Sequence, residues 1–302
     1  MEGTSSVARL QQAVALLLVC AAAGLWWWLR DTAPVGAVVA ALALLFVHAW
    51  VLALEFVLMH CASRADPTPR PRVRRLVRAW WGEVVQATRV FGWRQPFAWR
   101  REPDQWQGRD PSRPGIVFVH GFMCNRGFWA PWLREARARG HACAAVNLEP
   151  MDCSIDDYVA IIERAVTRMA ETTGRAPVLV CHSMGGLAAR AWLRQCGDPA
   201  RLAHVVTIGT PHAGTWLARF SRRVNGLQMR VGCDWLQRLG PSEAAATGRF
   251  TCWFSNCDNI VFPPSTATLP GADNRFLPGI AHVDMAFQPE LMQDTFALLA
   301  RL

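Results

Sequence analysis

Lysine is absent from the 302 residues, and tyrosine occurs once, at Tyr158. All 32 basic residues are therefore arginine, a coding bias from which no function is read. Charge is scarce: 18% of residues are charged against 52% hydrophobic, an apolar balance for a soluble enzyme of this length. The ten cysteines show neither zinc-ligand spacing nor a framework of the small secreted kind, which excludes a zinc module or a disulfide scaffold. Cys252 and Cys257 lie close in sequence, yet the set reads best as buried, reduced thiols of a cytosolic setting. No carboxylate cluster demands a metal, so none is expected.

The hydrophobic excess sits at the N-terminus and divides the chain in three: 1–63, 64–113 and 114–302. Residues 13–29 form an unbroken apolar run ending in Trp26, Trp27 and Trp28, and residues 35–54 form a second, interrupted only by His48. A hydrocarbon core takes about 20 helical residues to cross, so each run predicts a transmembrane helix. The short linker Arg30-Asp31-Thr32-Ala33-Pro34 predicts a tight hairpin, and the tryptophans fit an interfacial aromatic belt. A cleaved signal peptide is the other reading of the first run, but Arg9 alone makes a weak basic start. Arg64, Arg70, Arg72, Arg74, Arg75 and Arg78 crowd the exit of the second run. By the positive-inside tendency this predicts a multi-pass membrane protein whose N-terminus and globular part face the cytoplasm. His48 and Glu55 fall on one helical face, either as a proton or lipid contact or as a hydrogen-bonded pair.

The net charge of +9 is concentrated in residues 64–113, with 12 arginines against 5 acids. Beside a membrane segment such a stripe meets anionic lipid headgroups rather than nucleic acid, so membrane lipids are the expected partner. Residues 66–72 are a proline-broken linker. After it, Val73, Leu76, Val77, Trp80, Trp81, Val84 and Val85 recur at helical spacing with arginines between them. That amphipathic helix either lies in the membrane interface or packs on the globular part.

From Pro114 apolar strands alternate with helices: strands at 115–120, 142–146, 177–181, 204–208 and 250–254, helices at 129–139, 156–172, 185–195 and 289–302. Fully apolar strands in this alternation predict an α/β fold with a mostly parallel sheet covered on both faces. The decisive stretch is Val178-Leu179-Val180-Cys181-His182-Ser183-Met184-Gly185-Gly186. A buried strand ends, one serine intervenes and a helix begins. This resembles the nucleophile elbow G-x-S-x-G, with Cys181 in place of the first glycine. A lone S-x-G is no more than a capped helix start, and the strand–serine–helix context is what makes Ser183 a candidate nucleophile.

His120-Gly121-Phe122, the elbow, Gly209-Thr210-Pro211-His212-Ala213-Gly214-Thr215, Asp258-Asn259-Ile260-Val261 and Gly279-Ile280-Ala281-His282-Val283 together resemble bacterial α/β-hydrolase lipases and esterases, over about residues 114–302. Within that group the chain resembles forms with an N-terminal two-helix membrane hairpin. The resemblance implies the α/β-hydrolase fold and ester hydrolysis through an acyl-enzyme, without an organic cofactor. It also implies an oxyanion hole from the N–H groups of Phe122 and Met184. The base and acid should follow in the order Ser, acid, His. Among His204, His212 and His282, the last fits best, in a loop before the final helix. Asp258 is favoured over Asp273 and Asp284, because it would sit at the C-terminal end of a strand, where such sheets carry their sites.

Residues 216–248 form the expected cap, with Trp216, Leu217, Phe220, Leu227, Met229, Trp235, Leu236 and Leu239 suited either to an acyl chain or to packing on the core. The leading reading is a membrane-anchored serine hydrolase of carboxylic, lipid-like esters. An acyltransferase or thioesterase with the same triad, and a non-catalytic membrane scaffold on a hydrolase fold, are the alternatives.

Overall fold

The computed structural model describes residues 4–240 and 247–302. Helix α1 spans Ser6–Leu29, and α2, Pro34–Leu45, packs back along it. Among the described helices, α1 alone is long and apolar enough to cross a membrane unaided. The second apolar run, expected as one continuous helix, is broken. It splits at Phe46 into α2 and α3, Val47–Ala62, which meet at a bend of 59°, so only the bent pair together has the length of a span. Hydropathy counts apolar residues and does not encode a bend, so the sequence carried no sign of it.

Both ends of the hairpin are rooted on the rest of the molecule. At the first, Ser5 caps α1 and donates from Oγ to Glu149 Oε1 (2.8 Å), while Gln11 and Gln12 bond to Gln95 Oε1 (2.9 Å) and the Pro96 carbonyl (2.6 Å). At the second, His48 Nε2 lies 3.1 Å from Thr88 Oγ1, and Trp80 Nε1 donates to the Ala49 carbonyl (2.9 Å). His48 and Glu55 therefore do not pair with each other, since Glu55 is taken by Asn259. Phe56 and Met59 of α3 are buried against Cys257, Phe262 and Ala281, each burial stabilising by about 1.5–3 kcal/mol. Between the roots, residues 13–29 reach out about 25 Å at 1.5 Å per residue. Trp27 and Trp28 near the tip are largely exposed, with the Arg30 guanidinium 3.4 Å from the Trp27 ring centre.

Helix α4, Val73–Arg89, uses both of its faces. Ala79, Glu83, Val84 and Ala87 are buried, whereas Val73, Val77 and Trp81 form an exposed stripe at four-residue spacing. It runs through a π-helical turn at Val90–Arg94 into a short helix α5, Gln95–Phe97.

Among the described residues six parallel strands form one sheet: β1 Ile116–Val119, β2 Cys143–Ala145, β3 Val178–His182, β4 His204–Ile208, β5 Phe250–Phe254 and β6 Asp273–Phe276. Their order across the sheet is β2-β1-β3-β4-β5-β6. Parallel neighbours need crossovers, and these supply α6 Ala130–Ala138, α7 Val159–Thr173 and α8 Met184–Cys196. Alternate residues of a strand face opposite sides, which gives two cores. Val117 and Val119 join Ile162, Val166 and Trp192 on one side, whereas Ile116 and Phe118 join Trp129, Trp132 and Phe296 on the other. Five strands lie where the sequence placed them, and the parallel sheet with helices on both faces is the fold expected.

In the expected cap, a 3-10 turn Trp216–Phe220 is followed by α9 Val224–Gln228 and α10 Asp234–Leu239. Trp235, Leu236 and Leu239 pack into the first core, whereas Phe220, Val224 and Leu227 are exposed. Residues 241–246 of the cap lie outside the described residues. Two short elements follow β6: α11 His282–Met285 and α12 Pro289–Leu299. All ten cysteines are free, Cys252 and Cys257 among them.

Candidate active site

Ser183 sits between β3 and α8 with φ of 55°, one of two described non-glycine residues at positive φ. A side chain held there stores backbone strain, which the surroundings must over-determine. They do so with three hydrogen bonds. The Ser183 N–H donates to the Ile208 carbonyl (2.9 Å), and its own carbonyl accepts from the Gly186 N–H (3.1 Å) and from Thr210 Oγ1 (2.9 Å). Two glycines make the turn possible. A Cβ on Gly185 would lie 2.5 Å from the Val119 carbonyl oxygen, and one on Gly121 would lie 2.7 Å from Ser183 Cβ. Cys181, in the usual glycine position, is fully buried in the first core.

At the ends of neighbouring strands stand the expected acid and base. Asp258 Oδ2 lies 2.9 Å from His282 Nδ1, and both residues are buried. A carboxylate only accepts, so Nδ1 carries the proton and Nε2 is left as the basic nitrogen. Asp258 Oδ1 accepts the N–H groups of Ile260 (2.9 Å) and Val261 (2.7 Å), which fixes the carboxylate in turn. Burial works to lower the His282 pKa. The Asp258 charge and hydrogen bond, then Glu83 and Glu55, outweigh it and raise the pKa above its usual value. His282 is brought to the elbow through its neighbour: the His182 ring lies 4.6 Å from the His282 ring, and His182 Nε2 donates to the His282 carbonyl (3.2 Å). Ser183 Oγ and the His282 ring are not hydrogen-bonded to each other in this structure. Such contacts are often long without substrate and tighten in the complex.

Opposite lies the loop after β1. His120 Nδ1 donates to the Gly121 carbonyl (2.9 Å), and Nε2 accepts from the Leu148 N–H (3.0 Å). Both ring nitrogens are thus used, and burial pushes the His120 pKa down to about 4, so the neutral ring braces this loop. Phe122 follows directly. Met184, the first residue of α8, leaves its N–H without an intrahelical acceptor. These are the two donors expected of an oxyanion hole.

A family model described as "Alpha/beta hydrolase family" matches residues 116–297. The chain belongs to that family. Among solved structures, the hydrolase is similar to lipase BlEst2 of Bacillus licheniformis in two forms. The mature form has a TM-score of 0.55 and 21% identity, covering 63% of this chain and 93% of that one. The propeptide form has 0.55 and 22%, covering 65% and 52%. A monoacylglycerol lipase of Paleococcus ferrophilus has a TM-score of 0.46 and 17% identity, covering 62% and 94%. At 21–22% identity the likeness to the two BlEst2 forms shows the fold alone. No curated protein matches the hydrolase in sequence.

The competing residues have other partners. His204 is bonded to Thr251 (3.0 Å) at the start of β4, and His212 to Thr207 (3.0 Å). Asp273 bonds Arg275 on the edge strand β6, and the N–H of Asp284 is held by Glu83 (2.9 Å). Sequence reasoning missed three groups. Thr210, within a motif quoted for its resemblance, clamps the elbow. Asn259 Oδ1 accepts the His282 N–H (3.3 Å) and its Nδ2 donates to Glu55 Oε2 (2.7 Å). Glu83 of α4 accepts from the two residues after His282. Asn259 stood beside the expected acid and could have been noticed. Glu55 was marked by its place in an apolar segment, but as a partner of His48, and nothing in the local sequence marks Glu83.

Proposed function

We propose that the protein is a membrane-anchored serine hydrolase that cleaves carboxylic esters, lipid-like ones above all, through an acyl-enzyme. The observation that carries this reading is the strained Ser183 elbow beside a buried Asp258–His282 pair. Ser183 Oγ attacks the ester carbonyl carbon while His282 Nε2 takes its proton. The carbonyl oxygen becomes an oxyanion facing the N–H groups of Phe122 and Met184. On collapse the C–O bond to the alcohol breaks, and His282 returns the proton to the leaving oxygen. Water, deprotonated by His282, then attacks the acyl-serine and releases the acid and Ser183. Asp258 keeps Nε2 as the basic nitrogen and stabilises the imidazolium.

The lipid-like substrate and the membrane location rest on the N-terminal region. The free length of α1 is close to the roughly 30 Å of a hydrocarbon core. Both hairpin roots lie on the catalytic part, which puts the N-terminus and the site on one side, and the arginines after α3 favour the cytoplasmic side of a bacterial inner membrane. The exposed Val73, Val77 and Trp81 stripe of α4 suits the interface.

A chain-length panel of 4-nitrophenyl esters in lipid–detergent micelles tests the reading. Hydrolysis rising from short to medium or long acyl chains is expected, and folded protein inert to the whole panel refutes it. The same assay reads the base. Only neutral His282 accepts the serine proton, and its pKa is raised, so kcat/KM should fall as pH drops through a midpoint above 6.5. A midpoint below that value would contradict the Asp258–His282 assignment.

A further inference from the structure

We propose that Glu83, on the juxtamembrane helix α4, is a positioning residue for the base His282, so that the N-terminal region takes part in hydrolysis; this rests on the triad reading above. Glu83 is 1% exposed, and a buried carboxylate is costly unless hydrogen-bonded. Its bonds come from the two residues that follow His282. Both carboxylate oxygens lie 3.0 Å from the Val283 nitrogen, and Oε2 accepts from the Asp284 N–H at 2.9 Å. The N–H of His282 itself is fixed through Asn259, which Glu55 of α3 holds in turn. Three consecutive backbone N–H groups around the base are therefore tied, directly or through one side chain, to helices that precede the catalytic part.

Charge adds to position. Burial pushes the Glu83 carboxyl up to about 7, against the lowering effect of its two N–H donors, so it is ionised in alkaline solution. The groups facing His282 are Asp258 at the sheet end, Glu83 from α4, Glu55 from α3, and the His182 ring from the elbow, which burial keeps neutral. When His282 takes the serine proton, the imidazolium forms with Glu83 nearby, and a negative charge there favours it. A loop displaced by about 1 Å can cost on the order of 10²-fold in rate.

The test uses the full chain in lipid–detergent micelles, an ester that the wild type hydrolyses, and the variants Glu83→Ala and Glu83→Gln beside Ser183→Ala. Glu83→Ala should lower kcat by up to about 10²-fold with KM little changed. Glu83→Gln, isosteric and able to accept one N–H, should recover part of that rate, with the acid limb of its pH profile moved to lower pH. If both variants keep the wild-type kcat and pH midpoint while Tm alone falls, Glu83 is a structural contact and the proposal is overturned. Should Glu83→Ala not fold, Glu83→Gln decides by the same two readings. A folded wild type that neither hydrolyses esters nor reacts with a fluorophosphonate defeats the triad reading, and this proposal with it.

Discussion

Replacing His282 by alanine should lower kcat by about 10⁶-fold, whereas Asp258→Asn should cost about 10⁴-fold. The difference follows from what each side chain does. Without His282 nothing within the site can take the Ser183 proton, and the hydroxyl is a poor nucleophile at its ordinary pKa. His182, the nearest other imidazole, donates its Nε2 hydrogen to a carbonyl, and burial holds its pKa well below the usual range. An asparagine at 258 would keep the shape and the Oδ1 bonds to Ile260 and Val261. If its amide nitrogen faces Nδ1, however, the ring must take the tautomer with the hydrogen on Nε2, where the base is needed. Steady-state kinetics on one ester, with Tm measured for each variant, reads both. An Asp258→Asn enzyme within tenfold of wild type would remove Asp258 from the triad.

Gly185→Val should abolish folding or lower stability by more than about 3 kcal/mol, beyond the usual range for an overpacked core site. The reason is what lies above the glycine. The first added carbon would stand 2.5 Å from the Val119 carbonyl oxygen and 2.6 Å from that of His120, both backbone atoms of the central strand and its loop. They cannot turn aside as a flexible side chain would, so α8 must shift and carry Ser183 with it. The loss should appear in chemical denaturation, and any soluble fraction should be inactive. A Gly185→Val protein of wild-type stability would mean that helix and strand do not approach as closely as described.

What was legible in the sequence was what burial writes there. Strands such as Val178-Leu179-Val180 are covered on both faces and so are apolar throughout, which separates them from the amphipathic helices between them. The elbow, His282 and Asp258 were legible because short motifs kept their order along the chain. β6 was not. Asp273-Asn274-Arg275-Phe276 is a largely exposed edge strand and has no apolar run to betray it. The bend at Phe46 was hidden because a bent helix and a straight one share their hydropathy. The links from Glu55 and Glu83 to the base loop span about 200 residues of sequence. Such a contact exists only once α3 and α4 have docked, and no local pattern announces it. Helix α4, read two ways, packs one face on the catalytic part and leaves the other exposed.

Ester hydrolysis by this chain requires Ser183 to be an activated nucleophile. Labelling of the detergent-solubilised chain with a fluorophosphonate probe, wild type against Ser183→Ala, reads that property. Stoichiometric labelling of the wild type is expected, with the modified peptide containing Ser183, and none of the variant. Equal labelling of both, or a folded wild type that stays unlabelled in the presence of lipid, would contradict it.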